Sequence, residues 1–254
     1  MALLEVKNIS KSFGGVKAIQ NFSIEVNAGE IHGIIGPNGA GKTTIFNTIS
    51  GVYKPDQGTV SLDGVDITDY EQYKIARLGM GRTFQNIRLF KGLTVEENVL
   101  CAFDPESKYS FLGGIFPTPK RKSEEARGRE EADRILKEIG LEKVIHERPE
   151  NLPYGQQRSV EIARALIRHP KIMLLDEPAA GLNPTEVSDL TALIKRISVQ
   201  YGFGILLIEH RLELVMSISD MIHVQNFGET IAVGTPNEIQ HNPAVIEAYL
   251  GKEG

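Results

Sequence analysis

The chain has 254 residues, a net charge of −5 at neutral pH and a single cysteine, Cys101. This length suffices for one large α/β domain or two small ones. The slight acidity argues against a nucleic-acid partner, because proteins that bind nucleic acid carry a basic face. One cysteine excludes both a disulfide within the chain and a cysteine metal site, which fits a reducing compartment.

The apolar runs of the sequence are short. A run such as 205–208 is far shorter than the ~20 apolar residues that a transmembrane helix needs. A carboxylate, Glu5, appears within the first residues, so we expect no secretory signal. Any work at a membrane is therefore expected to go through a partner.

Alternating apolar residues predict an antiparallel β layer at the beginning of the chain. The alternation indicates a weak strand over 4–9 and a clearer one over 22–26, with a loop at 11–15 between them. An apolar strand at 31–35 is expected to follow this layer. The next predicted elements are helices at 45–50 and 70–78 and strands at 58–64 and 81–85.

The pattern changes to helical between about 87 and 152. Thr94 and Glu97 have the spacing of a capping box at the start of a helix. A loop rich in glycine and proline at 104–119 precedes a long charged helix at 120–139. We expect one domain over 1–254, with an α/β core at 1–86 and 166–235, a helical subdomain at 87–165 and C-terminal helices at 236–254.

Two nearly continuous apolar runs, 171–176 and 204–209, predict strands that are covered on both faces. The helix expected between them at 184–200 has Pro184 in its first turn, where proline is favoured. A hairpin over 221–233 is expected to follow. The chain therefore returns to a parallel α/β pattern after the helical region.

The segment Gly36-Pro37-Asn38-Gly39-Ala40-Gly41-Lys42-Thr43-Thr44 fits the phosphate-loop pattern G-x-x-x-x-G-K-[ST]. Its glycines let the backbone wrap around phosphates with N–H groups pointing inward, and the following helix adds its positive end. Lys42 is expected to contact the outer phosphates and Thr43 to hold Mg²⁺. The alternative is a glycine-rich turn that binds nothing.

An acidic pair, Asp176 and Glu177, ends the apolar run at 171–176. In phosphate-loop enzymes an aspartate at this place holds Mg²⁺, and a neighbouring carboxylate can activate an attacking water. Alone, such a pair is as often a solvated loop. Its place after a buried strand, in a chain with a phosphate loop, favours the functional interpretation.

The segment Leu152-Pro153-Tyr154-Gly155-Gln156 lies just before a predicted helix. With this segment the chain resembles, over nearly its whole length, the nucleotide-binding subunits of ATP-binding cassette (ABC) transporters, in which a Leu-Ser-Gly-Gly-Gln signature stands here. The resemblance implies an α/β fold with a RecA-like phosphate-loop NTPase core, an antiparallel β layer and an inserted helical subdomain. It also implies an ATPase whose hydrolysis of ATP, with Mg²⁺, is coupled to transport.

The resemblance assigns roles to further single residues. Phe13 corresponds to the aromatic residue that stacks on adenine, Gln85 to the glutamine that touches Mg²⁺ and senses the membrane partner, and His210 to the histidine at the γ-phosphate. Each alone has an ordinary structural explanation, but their joint order favours the family. The implied sites are ATP binding by Phe13, Gly36, Pro37, Asn38, Gly39, Ala40, Gly41, Lys42, Thr43, Thr44 and Gln85; catalysis by Glu177, His210 and Lys42; Mg²⁺ binding by Thr43, Gln85 and Asp176; and contact with the nucleotide of a second subunit by Leu152, Pro153, Tyr154, Gly155 and Gln156.

Several positions depart from the common family pattern. Pro153 replaces the signature serine and offers neither a hydroxyl nor an N–H group. We expect this change to weaken binding of the opposite nucleotide by about 1–2 kcal/mol. Tyr154 replaces a glycine, and Asn183 and Arg211 stand where aspartate is expected.

The segments Tyr154-Gly155-Gln156-Gln157, Gly181-Leu182-Asn183-Pro184 and Ile208-Glu209-His210 resemble one branch, the ATPase of the high-affinity branched-chain amino acid importer. Related ATPases for urea or amide import or for lipopolysaccharide export remain alternatives, as do an ABC ATPase outside transport and a nucleotide-binding regulator. The implied partners are integral membrane permease subunits, a second ABC ATPase subunit in a homodimer or heterodimer and, indirectly, a periplasmic binding protein. The implied location is cytoplasmic, at the inner face of the cell membrane.

Overall fold

The computed structural model describes residues 2–103 and 119–250. It divides into two units, one made of Met1–Gln85 with Lys171–Gly254 and the other of Asn86–Pro170. The loop predicted at 104–119 lies almost wholly outside the described residues. Within those residues, no helix combines the length and apolarity that a membrane crossing needs.

The first unit contains two sheets. In chain order, the strands of the described residues are β1 (Leu4–Phe13), β2 (Val16–Val26), β3 (Ile31–Ile35), β4 (Gln57–Leu62), β5 (Val65–Asp66), β6 (Met80–Arg82), β7 (Ile172–Asp176), β8 (Gly204–Ile208), β9 (Met221–Asn226) and β10 (Glu229–Gly234). One sheet is antiparallel with the order β2-β1-β4-β5, and the other has the order β10-β9-β3-β8-β7-β6. The second sheet is parallel except where β10 pairs with β9. The expected α/β class with an antiparallel layer is confirmed.

Helices occur in both units. In the first unit the helices are α1 (Lys42–Ile49), α2 (Gln72–Arg77), α6 (Pro184–Tyr201), α7 (Leu212–Ile218), α8 (Pro236–Gln240) and α9 (Pro243–Leu250), and in the second they are α3 (Val95–Leu100), α4 (Pro119–Glu138) and α5 (Tyr154–Leu166) with a 3₁₀ turn at Pro149–Asn151. The described part of the second unit is therefore helical.

The centre of the parallel sheet positions the site. Every residue of β3, β7 and β8 is buried, as expected for parallel strands covered on both faces. Ile208 pairs with both Ile34 of β3 and Asp176 of β7. The three strands therefore end at the same edge, so the residues that follow them come together there.

The predicted loop at 11–15 is wrong. β1 continues to Phe13 and β2 begins at Val16, which leaves only a two-residue turn. The Asp56 carboxylate accepts hydrogen bonds from Lys11 Nζ at 2.7 Å and from the Ser12 N–H at 2.7 Å. This contact from 44 residues away stabilises the end of β1, and no local pattern indicates it.

Capping explains where two helices begin. Thr94 and Glu97 form the predicted capping box of α3, with both reciprocal hydrogen bonds. Asn183 forms an equivalent box with Glu186 at the start of α6, so asparagine does here the capping that aspartate would do. α6 ends at Gly202, whose φ of 67° is the left-handed conformation that glycine favours.

Two buried histidines stack beside the phosphate-loop strand. The rings of His32 on β3 and His223 on β9 have centroids 5.8 Å apart. Burial lowers the pKa of His223 to about 4, and the neighbouring His32 contributes in the same direction. Burial also lowers the pKa of His32, although Glu30 and Asp220 oppose that change. Both rings are therefore neutral in the folded protein at neutral pH.

Acid should destabilise the protein through this pair. In the unfolded chain, histidine has a pKa near 6.5. Between pH 6.5 and pH 4 the unfolded state therefore binds more protons than the folded state, and the free energy of unfolding decreases as the pH is lowered. The lowered pKa of His223 corresponds to a loss of about 3 kcal/mol across that range. Urea unfolding from pH 7 to pH 4.5 measures it. His223→Phe should flatten the dependence, whereas the exposed control His241→Gln should not; equal slopes in all three proteins would contradict the assignment.

Candidate nucleotide-binding site

The phosphate loop joins β3 to α1 through backbone shapes that require glycine. Gly36 has φ of 148°, and a Cβ there would lie 2.1 Å from the Gln225 carbonyl oxygen. Gly41 has φ of 98°, and a Cβ there would lie 2.2 Å from the Ala18 carbonyl oxygen. Any other residue at these two positions would strain the loop, and its Cβ would push away the neighbouring backbone carbonyl. The first N–H groups of α1 begin at Lys42, where a phosphate is favoured.

The Lys42 side chain folds back over its own loop. Its Nζ donates to the carbonyl oxygens of Gly36 at 2.7 Å and Pro37 at 2.8 Å, and the side chain is buried. Burial lowers the pKa of this amine, and the charge of Glu177 opposes the change. The loop therefore holds a cation close to the place where phosphates would lie.

A cavity of ≈ 510 Å³ opens above the loop. Its lining consists of Val16, Lys17, Ala18, Asn38, Gly39, Ala40, Gly41, Lys42, Thr43, Thr44, Gln85, Glu177, His210 and Phe227. The structure thus brings most of the residues expected from the sequence into one cavity. Phe13 lies outside this lining and packs edge-on against Tyr53, with ring centroids 5.1 Å apart.

Glu177 is held by two polar side chains that face the cavity. Gln85 Nε2 donates to Glu177 Oε2 at 2.7 Å, and His210 Nε2 lies 2.8 Å from Glu177 Oε1. The second contact requires the imidazole proton on Nε2, because an ionised carboxylate only accepts. The backbone of Glu177 has φ of 46°, a conformation that costs free energy outside glycine and often occurs at functional sites.

Asp176 is not among the residues that line the cavity, and it contacts Arg82. Arg82 Nη2 lies 3.3 Å from Asp176 Oδ2 and also donates to Asn47 Oδ1 at 2.8 Å. The Asp176 side chain is buried, and a charge in such a place needs an opposite partner. Arg82 supplies that opposite charge to the buried Asp176 carboxylate.

The expected Mg²⁺ ligands have suitable chemistry. Thr43 offers a hydroxyl, Gln85 an amide oxygen and Asp176 a carboxylate, and Mg²⁺ prefers such oxygen donors. Within the described residues, no group of three or more His, Cys, Asp or Glu side chains could hold a metal by itself. The three expected oxygen donors are fewer than the six ligands that Mg²⁺ takes, so they fit a cation that takes further ligands from phosphates and water.

The signature residues lie in the second unit, at the start of α5. Pro153 is the N-cap residue of α5 and gives no side-chain hydrogen bond to the helix. Tyr154 is exposed at 40%, whereas Leu152 is buried. Gln157 Nε2 donates to the Leu152 carbonyl at 2.9 Å and fixes the approach to the helix. The helix that carries the signature therefore begins without a side-chain cap.

Sequence reasoning missed several residues of the site. Arg82 and Phe227 carried no motif, although an arginine within a short buried strand is a signal for an ionic partner. The direct contacts of Gln85 and His210 with Glu177 were also unforeseen. Glu209 was quoted only as part of the segment Ile208-Glu209-His210 and was given no role, although a carboxylate that closes an apolar run is a comparable signal.

Comparisons with known proteins agree with this geometry. The ABC transporter family matches residues 19–180, and the branched-chain amino acid ATP-binding cassette transporter family matches residues 229–254. The high-affinity branched-chain amino acid transport ATP-binding protein BraF of Pseudomonas aeruginosa is 46% identical to this chain, over 98% of each protein.

Solved structures show the same fold. The ADP conformation of MJ1267, an ATP-binding cassette of an ABC transporter, is 35% identical with a TM-score of 0.85, over 99% of this chain and 100% of that one. The dimeric structure of MJ0796, a bacterial ABC transporter cassette, is 26% identical with a TM-score of 0.76, over 92% of this chain and 98% of that one. The expected ABC ATPase fold is confirmed, and the chain belongs to the ABC transporter family as an ATP-hydrolysing cassette.

Proposed function

We propose that this ATPase powers the import of branched-chain amino acids through membrane permease subunits. The observation that carries the proposal is that the whole chain and its C-terminal segment both resemble branched-chain amino acid transport proteins. BraF, named for high-affinity branched-chain amino acid transport, matches the full length, and the branched-chain family matches 229–254, beyond the shared cassette. In such a system the cargo is chosen by the permeases and a periplasmic binding protein. This chain therefore indicates the cargo only through the branch of ATPases that it resembles.

ATP is proposed to bind with its triphosphate on the loop from Gly36 to Thr44. The loop N–H groups and the start of α1 face the phosphates, and Lys42 Nζ exchanges the carbonyls of Gly36 and Pro37 for phosphate oxygens. Phe13 is proposed to stack on adenine. It is 43% exposed at the end of β1, and the turn after it leads to Val16, which lines the cavity.

Thr43, Gln85 and Asp176 are proposed to hold Mg²⁺ when nucleotide is bound. The cation would neutralise charge on the outer phosphates and so favour attack at the γ-phosphate. Arg82 stabilises the charge of Asp176 and fixes its direction. Gln85 is near enough to hold Glu177 as well, through its Nε2 group.

Glu177 is proposed as the general base for hydrolysis. Water attacks the γ-phosphorus, its proton passes to a Glu177 carboxylate oxygen, and the bond to the ADP leaving oxygen breaks. His210 orients the carboxylate through the 2.8 Å contact, and Lys42 with His210 stabilises charge on the transferred group. The products are ADP and phosphate.

A second cassette subunit is proposed to complete each site. The signature Leu152–Gln156 would contact nucleotide bound to the partner, through the first turn of α5 and not through a serine hydroxyl. The dimeric cassette similar to this chain supports such pairing. Two ATP molecules would then hold two subunits together, whether the partner is a second copy or a related ATPase, and hydrolysis would release them.

The helical subdomain is proposed to pass this change to the permeases. Gln85 is the last residue of the first unit, and the helical unit Asn86–Pro170 follows it directly in the chain. A glutamine that senses the outer phosphates is therefore linked to the helical residues through the backbone. With this role, the protein is proposed to lie in the cytoplasm, on the inner face of the cell membrane.

Uptake of labelled amino acids tests the cargo. Deletion of the gene should abolish high-affinity uptake of leucine, isoleucine and valine, because without the ATPase the permeases lack their energy source. The wild-type gene should restore uptake and a Glu177→Gln gene should not. Urea uptake serves as the matched control and should be unchanged. Normal leucine uptake with lost urea uptake would overturn the proposed cargo in favour of the amide branch.

A further inference from the structure

Glu209 is a carboxylate buried at the edge where the site is built. It follows β8 directly and is 2% exposed. Because Ile208 pairs with Asp176, Glu209 and Glu177 take the corresponding places after two neighbouring parallel strands. The Glu177 N–H also donates to the Ile208 carbonyl at 2.9 Å, which extends the strand pairing to this point.

The Glu209 carboxylate joins the two loops that leave these strands. One oxygen accepts from the Ala179 N–H at 2.6 Å, in the loop that begins with Glu177. The other accepts from the His210 N–H at 2.9 Å and from the Arg211 N–H at 3.3 Å. A charged acceptor makes each of these contacts stronger than a neutral one would be.

Arg211 adds a second tie between the same loops. Its Nη2 donates to the Leu182 carbonyl at 2.7 Å, just before Asn183 caps α6. Arg211, which stands where the family pattern has aspartate, therefore has a hydrogen-bond partner in the structure. Glu209 and Arg211 together are called the strand-end clamp below.

The clamp bears on the proposed chemistry, because Glu177 and His210 stand on the two loops that it joins. The His210 ring reaches Glu177 at 2.8 Å, and Glu177 holds a φ of 46° that surrounding structure must maintain. We propose that Glu209 is a positioning residue that fixes His210 relative to Glu177 for ATP hydrolysis. This inference rests on the proposed roles of Glu177 and His210.

A glutamine at 209 is the sharpest test, because it keeps the size of the side chain. Glutamine has one acceptor oxygen, whereas the glutamate carboxylate has two. At least one loop N–H group that Glu209 binds therefore loses its acceptor and faces the amide NH₂ group, which is a donor. Turnover should fall by about 10²-fold, the effect of a small misplacement of reacting groups. KM for ATP should stay within about twofold, since neither Glu209 nor Ala179 lines the cavity. A merely structural role would not separate kcat from KM in this way.

The control removes an exposed carboxylate elsewhere that likewise accepts a backbone N–H group. Glu238 accepts the Thr235 N–H at 2.7 Å in the capping box of α8, and Glu238→Gln should leave kcat and KM as in the wild type. If Glu209→Gln fails to fold, Arg211→Ala removes only the second tie and should lower kcat in the same direction with KM unchanged. Wild-type kcat in every folded clamp variant would overturn the inference.

A double-mutant cycle with His210→Ala tests whether the effect passes through the histidine. Without the imidazole, Glu209→Gln should lower the residual kcat by less than about twofold. An equal loss in both backgrounds would overturn the inference. Glu177→Gln, measured in parallel, keeps two failures apart: its normal turnover would contradict the proposed function, whereas its inactivity beside a fully active Glu209→Gln would contradict the clamp alone.

Discussion

Replacing Glu177 by glutamine should lower steady-state ATP hydrolysis by about 10²–10⁴-fold, the usual contribution of a general base. An amide cannot take the proton of the attacking water. The shape of the side chain is retained, and its amide oxygen can still accept from Gln85 or His210. ATP binding should therefore persist. Phosphate release measures turnover, and calorimetry measures the affinity for ATP.

The same variant should accumulate as a closed dimer. Nucleotide that cannot be hydrolysed would keep two subunits together, so size-exclusion chromatography with ATP and Mg²⁺ should show twice the mass. Glu25→Gln, the same chemical change at an exposed position of β2, should hydrolyse ATP normally and show no ATP-dependent dimer. Normal hydrolysis by Glu177→Gln would remove the general base from the mechanism.

Local patterns predicted the elements that carry the site. The apolar runs that became β7 and β8 indicated strands covered on both faces, and the run that became β3 indicated a strand. All three strands are buried throughout. The capping box of α3 and the proline at the start of α6 likewise act within one helical turn. Each of these signals depends on residues a few positions apart, which is the range that a single sequence displays.

Contacts between distant parts of the chain were not predictable in this way. Gln85 and Glu177 are 92 positions apart, and Arg82 and Asp176 are 94 apart. Both contacts exist because β6 and β7 are neighbours in the parallel sheet, which is a property of topology. α7 was also missed, because its seven residues, Leu212–Ile218, are too few for a clear helical period.

The departures from the family pattern gain meaning only with the structure. Asn183 caps α6, and Arg211 ties the two loops at the site. Pro153 gives the signature helix a start without a side-chain cap. From the sequence the three changes look alike, yet Asn183 and Arg211 have hydrogen-bond partners within the first unit, whereas Pro153 gives its helix no side-chain cap.

Replacing Lys42 by alanine should raise the dissociation constant for ATP by about 10²-fold. Hydrogen bonds between charged groups contribute about 1.5–3 kcal/mol each, and about 2.8 kcal/mol corresponds to that factor. The Lys42 side chain is buried and its amine lies beside the loop carbonyls, whereas Lys17, which also lines the cavity, is exposed. Calorimetry with ATP and Mg²⁺ measures the change.

The control is Lys54→Ala, which removes the same charge from an exposed lysine paired with Asp69. It should bind ATP as the wild type does. Lys42→Ala also removes the amine that donates to the carbonyls of Gly36 and Pro37. Thermal unfolding must therefore be compared, to separate loss of the loop structure from loss of the charge. Lys42→Arg keeps a cation but changes its shape, and it should bind with intermediate affinity because phosphate attraction depends on charge as well as fit. Unchanged affinity in a folded Lys42→Ala protein would contradict phosphate binding at this loop, since nothing else in it carries a positive side chain.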